Sequence, residues 1–266
     1  MRHLNGRVVI VTGASSGIGR ETALAFARGG AHVVLAARRE ERLREVAAQI
    51  SDTSSGALVV PTDVGASGDV ERLVSETIGT YGRVDVLINN AGFGCSGTID
   101  ETPEALMREL FEVNYMGAFN ATRAVLPHMR RQRSGHIVNV SSVVGRLSFP
   151  FHGAYAATKA ALIAMTEALR GELAGSGVTA TVVLPASTRT EFFDVRRTLG
   201  EQDAFPTGPQ ASPRTVARAI VRSVRHPTPE VNIIPAMRIA YGLHGFFPGL
   251  RDLAGRQAYQ RLRQRR

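Results

Sequence analysis

"VVIVTGASSGIGRETALAF", residues 8–26, passes from a β-branched run through three glycines into apolar residues at helical spacing. It reads as a strand, a tight turn and the start of a helix. Gly13, Gly17 and Gly19 permit a sharp turn, close approach of backbone to a ligand, and close packing of helix on strand. Ser15, Ser16 and Ile18 complete the loop at a helix N-terminus, where free N–H groups and the positive dipole end suit phosphate. A glycine-rich turn with no ligand is the simpler alternative, and a glycine triplet alone would not exclude it.

Six further β-branched runs follow, "AHVVLAA", "ALVVPTD", "VDVLINN", "GHIVNVS", "GVTATVVL" and "EVNIIP", separated by helical patterns with Gly or Pro at their ends. Most of these runs are continuously apolar rather than alternating, as parallel strands buried on both faces are. Repeated βα units with right-handed crossovers predict an α/β doubly wound parallel sheet of about seven strands, with helices on both faces. No internal repeat or low-complexity linker appears before Pro235, so residues 1–235 are expected to form one domain. Within it, the turn-rich segment 186–212 is too long for an ordinary connection and is read as a lid or binding loop.

Composition narrows the class. With 44% hydrophobic and 21% charged residues in 266, the chain is ordinary globular material. Its single cysteine, Cys95, can form neither an internal disulfide nor a metal site alone, and "MRHLNGR" is too polar for a signal peptide. A cytoplasmic location and no metal are therefore expected. The net charge of +9 lacks the aromatic-interleaved basic motifs of specific nucleic-acid binding. The charge concentrates in residues 236–266, a C-terminal extension with seven arginines against Asp252.

About twenty residues after the glycine turn, a site selecting NAD would carry an acid for the ribose 2′-hydroxyl. This chain has Ala36, Ala37, Arg38 and Arg39 there. Small neutral residues leave room for a 2′-phosphate and arginine can grip one, so NADP(H) is the expected cofactor. Solvated surface arginines would account for Arg38 and Arg39 but not for the missing acid.

Of the 32 basic residues 31 are arginine, and the one lysine is Lys159 in "YAATK" (155–159). Tyr155 and Lys159, at i and i+4, share a helical face. A tyrosine is a weak acid at neutral pH, and a nearby ammonium would lower its pKa. A compact ammonium can do this while also reaching a cofactor ribose, which a planar guanidinium would do differently.

Together, "TGASSGIG" (12–19), "NNAG" (89–92), Asn114 in "VNYMGAF", "VNVSS" (138–142) and "YAATK", in this order and spacing, resemble the short-chain dehydrogenase/reductase family over about residues 7–235. The resemblance implies a Rossmann-type NADP-binding catalytic domain in which Tyr155 is the general acid/base and Ser142 binds the substrate oxygen. It further implies that Lys159 tunes Tyr155 and holds the nicotinamide ribose, and that Asn114 supports a water relay to the lysine. By the same resemblance, Asp63 and Val64 contact the adenine, Asn90, Ala91, Gly92, Pro185 and Thr188 line the cofactor, and Thr190 lies near the nicotinamide amide. Ala186 and Thr188 in "LPASTRT" (184–190) depart from the usual pattern at the lid entrance. The family also implies a homodimer or homotetramer, with long helices paired across subunits.

Phe93, Gly94, Cys95, Val144, Phe149, Phe151, His152, Phe192 and Phe193 are the residues expected to reach substrate. So apolar a set favours a bulky ketone or secondary alcohol, although several of the phenylalanines would serve equally as core. His152 is as readily a helix-leading residue as a substrate contact. A reductase of carrier-bound 3-oxoacyl chains is the alternative enzyme, and a dinucleotide-sensing binding protein without turnover the alternative outside enzymes. The extension itself is compatible with packing on the cleft or on a second subunit, with peripheral membrane contact, or with a disordered end.

Overall fold

The computed structural model describes residues 3–51, 56–192, 196–199, 210–247, 249, 255–257 and 259–260. Its centre is a sheet of seven parallel strands: β1 (Val8–Thr12), β2 (His32–Ala37), β3 (Ala57–Pro61), β4 (Val86–Asn89), β6 (Gly135–Val140), β7 (Val178–Leu184) and β9 (Glu230–Asn232). Their order, β3-β2-β1-β4-β6-β7-β9, is that of a doubly wound fold. All seven apolar runs read from the sequence are strands. The last stops at Asn232 rather than reaching Pro235, whose ring has no N–H to offer a ladder.

The continuous apolar runs are explained by what covers them. Val9, Val11, Val33 and Leu35 pack on one face with Phe26, Leu43 and Ile220, from α1 (Gly17–Ala27), α2 (Glu40–Ser51) and α7 (Pro213–Arg225). Val8, Ile10 and Val34 pack on the other with Leu73, Val125 and Leu169, from α3 (Ser67–Tyr81), α5 (Gly117–Gln132) and α6 (Gly153–Glu172). Because successive residues point to opposite faces, each central strand must be apolar at every position.

The chain runs outward from β1 through β2 to β3, then returns to pair β4 on the other side of β1, with Ile10 opposite both Val34 and Leu87. That reversal leaves a crevice at the carboxyl ends of β1 and β4, the usual ligand position in such sheets. Two elements were not legible in the sequence: β5 (Cys95–Ser96) and β8 (Arg197–Thr198), a two-residue parallel ladder beside the crevice. The segment 186–212 is tied at its neck, where Thr188 bridges Ala211 and Ala211 exchanges backbone hydrogen bonds with Ser187 and Arg189 at 2.9 and 3.0 Å.

Candidate active site

The glycine loop crosses the crevice between β1 and β4. Gly13 has φ +65°, and a Cβ there would lie 2.9 Å from the Ala91 Cα, while one on Gly19 would lie 2.1 Å from the Gly13 carbonyl oxygen. Gly19 thus makes the turn tight, facing the loop itself and not the open crevice. Gly17, at φ +54°, faces Thr190 across the opening, 3.1 Å from where its Cβ would be. Asn90 braces the loop, its Nδ2 donating to the carbonyls of Thr12 and Gly13 at 3.0 and 3.3 Å, and Thr12 Oγ1 accepts from the N–H groups of Asn90 and Ala91. Ser16 precedes α1 without a side-chain cap and the first turn of α1 has no acid, so no side chain occupies the place of an anion. A cradle of this kind fits a dinucleotide pyrophosphate.

A cavity of about 600 Å³ extends from this loop in both directions. At one end it is lined by Ser15, Arg38, Arg39, Asp63 and Val64. Arg39 is already engaged there: its guanidinium donates to Ser15 Oγ at 3.2 Å and to the Glu191 carboxylate at 3.2 and 3.3 Å. Asp63 folds its carboxylate onto the N–H of Gly65 at 3.0 Å, which fixes the turn after β3. At the level of the glycines the cavity is lined by Ile18, Asn90, Ala91, Gly92, Pro185, Thr188 and Thr190.

Ser142, Tyr155 and Lys159 line the same cavity from β6 and α6. Tyr155 and Lys159 are both buried, with the ammonium 5.8 Å from the phenol ring centroid and donating to the Val140 carbonyl at 3.1 Å. Burial dominates both. It raises the Tyr155 pKa above the ordinary tyrosine value, opposed by a hydrogen bond with Ser142, and it pushes Lys159 down to about 8. Lys159 thus stands beside Tyr155 as the sequence spacing requires, with its ammonium bonded to a carbonyl, while desolvation disfavours the charged form of each. Ser141, one residue earlier, turns away to donate to the Lys159 carbonyl at 2.8 Å and so anchors α6 to β6.

Asn114 sits on a π-helical turn, Glu112–Met116, between α4 (Glu104–Phe111) and α5. Its amide pairs with the Phe93 backbone in both directions, at 2.9 and 3.0 Å, and donates to Thr158 Oγ1 at 3.1 Å. A Cβ on Gly92 would stand 2.8 Å from Asn114 Oδ1 and 3.4 Å from Lys159 Nζ. Asn114 is thus next to the lysine but behind the wall formed by Gly92 and Phe93.

Phe93, Val144, Phe149, His152 and Phe192 line the far end of the cavity. Phe193 lies outside the described residues. His152 is buried at the start of α6, with Nδ1 at 3.0 Å from the Pro150 carbonyl. Gly94, Cys95 and Phe151, expected to reach substrate, do not line the cavity: Phe192 covers Gly94, Cys95 is packed with Leu110 and Ala154, and Phe151 is buried at φ +67° with its ring stacked on Tyr259. Two charged residues that the sequence did not single out, Glu109 and Arg197, also line this end and form an ion pair at 3.4 Å. They lie 88 positions apart, so no local pattern could have flagged them.

Comparison with known proteins gives the family. The family model described as short chain dehydrogenase matches residues 7–199, and the chain belongs to that family, an oxidoreductase of Rossmann-like fold built around a nicotinamide dinucleotide. It is 34% identical to the ketoacyl reductase HetN of a Nostoc species over 87% of this chain and 79% of that one. A short-chain dehydrogenase/reductase from Burkholderia phymatum, solved in complex with NAD, superposes with a TM-score of 0.86 at 30% identity, covering 94% of this chain and 96% of that one. An alcohol dehydrogenase from Thermococcus sibiricus, solved with 5-hydroxy-NADP, gives 0.77 at 27% identity over 86% and 96%.

Proposed function

We propose that the protein is an NADP(H)-dependent oxidoreductase that interconverts an apolar ketone and its secondary alcohol. The observation that carries this reading is one continuous cavity lined at one end by Arg38 and Arg39, in the middle by the glycine loop, and at the other by Ser142 and Tyr155 among aromatic side chains. Arg38 and Arg39 would hold the 2′-phosphate, the α1 N-terminus the pyrophosphate, and Lys159 the nicotinamide ribose. The cofactor, when bound, supplies or accepts the hydride.

The chain's residues handle the proton and the oxygen. A buried phenol held neutral is a proton donor, so Tyr155 delivers its proton to the carbonyl oxygen as the carbonyl carbon is reduced. Ser142, which lines the cavity with Tyr155, orients that oxygen by turning its one O–H to it. Lys159, with a pKa near 8, is poised to return a proton to Tyr155 at neutral pH. The reverse sequence oxidises an alcohol.

A row of rings from α4 through the π-helical turn to α5, ending at the exposed Phe119, supports assembly into a dimer or tetramer. Tyr115 lies 6.3 Å from Phe111 and 6.4 Å from Phe119 between ring centroids. The ketoacyl relative favours a second reading, reduction of carrier-bound 3-oxoacyl chains, in which Arg197 and Glu109 at the cavity mouth would meet a polar carrier arm. Turnover of a panel of free ketones, alcohols and 3-oxoacyl thioesters with NADPH, NADH and their oxidised forms separates these. Thioesters alone would replace the leading reading with the second, and tight cofactor binding without turnover of any substrate would leave a binding protein.

A further inference from the structure

The extension after Pro235 forms a helix, α8 (Met237–Phe246), whose two faces are both apolar. On the inner face Tyr241 packs with Val143 against Ile163, Val182 and Leu184, which fastens the helix to the domain beside Ser142. Ile239, Leu243 and Phe246 recur at positions i, i+4 and i+7, so they share the opposite face. They are 70%, 56% and 83% exposed, with Phe247 continuing the patch at 55%. A helix apolar on both faces and covered on one needs something on the other.

We propose that this outer face docks the protein on an anionic lipid surface, from which the substrate enters the cleft. Charge selects this occupant. Residues 236–266 carry seven arginines against one aspartate; Arg238, beside Ile239 on α8, is exposed, as is Arg256. A second copy meeting the same face about a two-fold axis would bring an equally basic tail against this one. Four side chains on one short helix also provide well under the roughly 800 Å² per partner of a stable protein interface. An apolar strip flanked by arginines matches instead the interfacial helices that lie at the headgroup boundary of anionic bilayers. No helix among the described residues is long and apolar enough to cross a membrane, so the contact is peripheral there.

The position of the patch gives it a consequence for substrate. Tyr241 packs on the same core cluster as Val143, the neighbour of Ser142, and Tyr259 stacks on Phe151 with centroids 5.4 Å apart, four residues before Tyr155. Phe149, half-exposed, lines the cavity close by. The lipid-facing helix and the substrate end of the cavity therefore share one side of the molecule. The substrate class is then a ketone or alcohol that partitions into lipid, an extension that rests on the oxidoreductase reading above.

The chain contains no tryptophan, so Phe246→Trp places a single reporter on the patch. With vesicles of phosphatidylcholine and about one-third phosphatidylglycerol, its emission should shift to the blue and be quenched by brominated acyl chains. Vesicles of phosphatidylcholine alone should bind at least about tenfold more weakly, and added salt should narrow that gap. Leu243→Gln/Phe246→Gln should lose at least about tenfold in co-sedimentation with anionic vesicles while retaining NADPH affinity, which shows that it folds. A lipid-soluble ketone presented in those vesicles should be turned over more slowly by this variant, and a water-soluble ketone at the native rate. An unshifted reporter overturns the proposal, as does a double variant that sediments with vesicles like the native chain or merely dissociates a dimer. Vesicle binding without turnover of any ketone would refute the oxidoreductase reading and leave the docking intact.

Discussion

Glu191 should act as an internal rival of the cofactor's 2′-phosphate, so Glu191→Gln is expected to tighten NADPH binding. In the structure its carboxylate takes two donors of Arg39 at 3.2 and 3.3 Å, and those donors must turn away before they can hold a phosphate. Both side chains are about half exposed, 47% and 46%, which bounds the pair at no more than about 1 kcal/mol. Releasing Arg39 should therefore improve NADPH affinity by up to about fivefold and leave NADH unchanged. Arg39→Ala, and equally Arg38→Ala, should weaken NADPH by about tenfold or more, since a charge-assisted phosphate contact contributes roughly 1.5–3 kcal/mol. In the Arg39→Ala background, Glu191→Gln should lose its effect. Fluorescence titration of the four proteins with each cofactor measures the cycle. Equal affinity of the native protein for NADPH and NADH, together with a Glu191→Gln variant that moves neither, would refute the reasoning.

Tyr155→Phe should keep NADPH affinity but lose about 10²–10⁴-fold in turnover, as expected for removal of a general acid; retained turnover would assign the proton to another group. The native reduction rate should fall as pH rises through about 8, where Lys159 loses its proton. Lys159→Arg should remove that limb, because a guanidinium stays charged, and run slowly throughout; a native-like rate and profile would make the lysine incidental. His136 on β6 is buried, with Nδ1 2.6 Å from Thr179 Oγ1, and burial lowers its pKa to about 4. The unfolded chain takes up that proton near pH 6.5 and the folded one only near 4, so stability should fall as pH falls through this window, by about 3 kcal/mol in all. Urea unfolding of native protein and His136→Asn at pH 7 and 4.5 should show the variant losing less; parallel losses would contradict the assignment.

The parts of this molecule visible in its sequence are those fixed by local chemistry. A strand buried on both faces has to be continuously apolar, and a loop with φ +65° at Gly13 and φ +54° at Gly17 has to use glycine, so both leave a written trace. Tyr155 and Lys159 were legible because four residues on a helix make neighbours. Glu191 on Arg39 and Glu109 on Arg197 were not, since those partners are 152 and 88 positions apart and depend on how β2, α4 and the segment after β7 converge. The raised pKa of Tyr155 was hidden for a related reason: spacing shows that an ammonium is near, but only the fold shows how much water has been removed. The extension sits between these cases. Its arginines could be counted, but its outward face was defined only once Tyr241 was seen to point inward.

The bridge between Thr188 and Ala211 joins the two ends of the segment 189–210, which therefore leaves and re-enters the domain at one point. The cost of closing a loop grows only slowly with its length, so residues can be added or removed inside this neck as long as Thr190 facing Gly17, Glu191 on Arg39 and β8 on β5 are kept. For an engineer, the neck is a cut-and-paste boundary. A library of foreign inserts between Leu199 and Gln210 would leave those contacts in place, within a neck that the backbone hydrogen bonds of Ser187, Arg189 and Ala211 already hold shut.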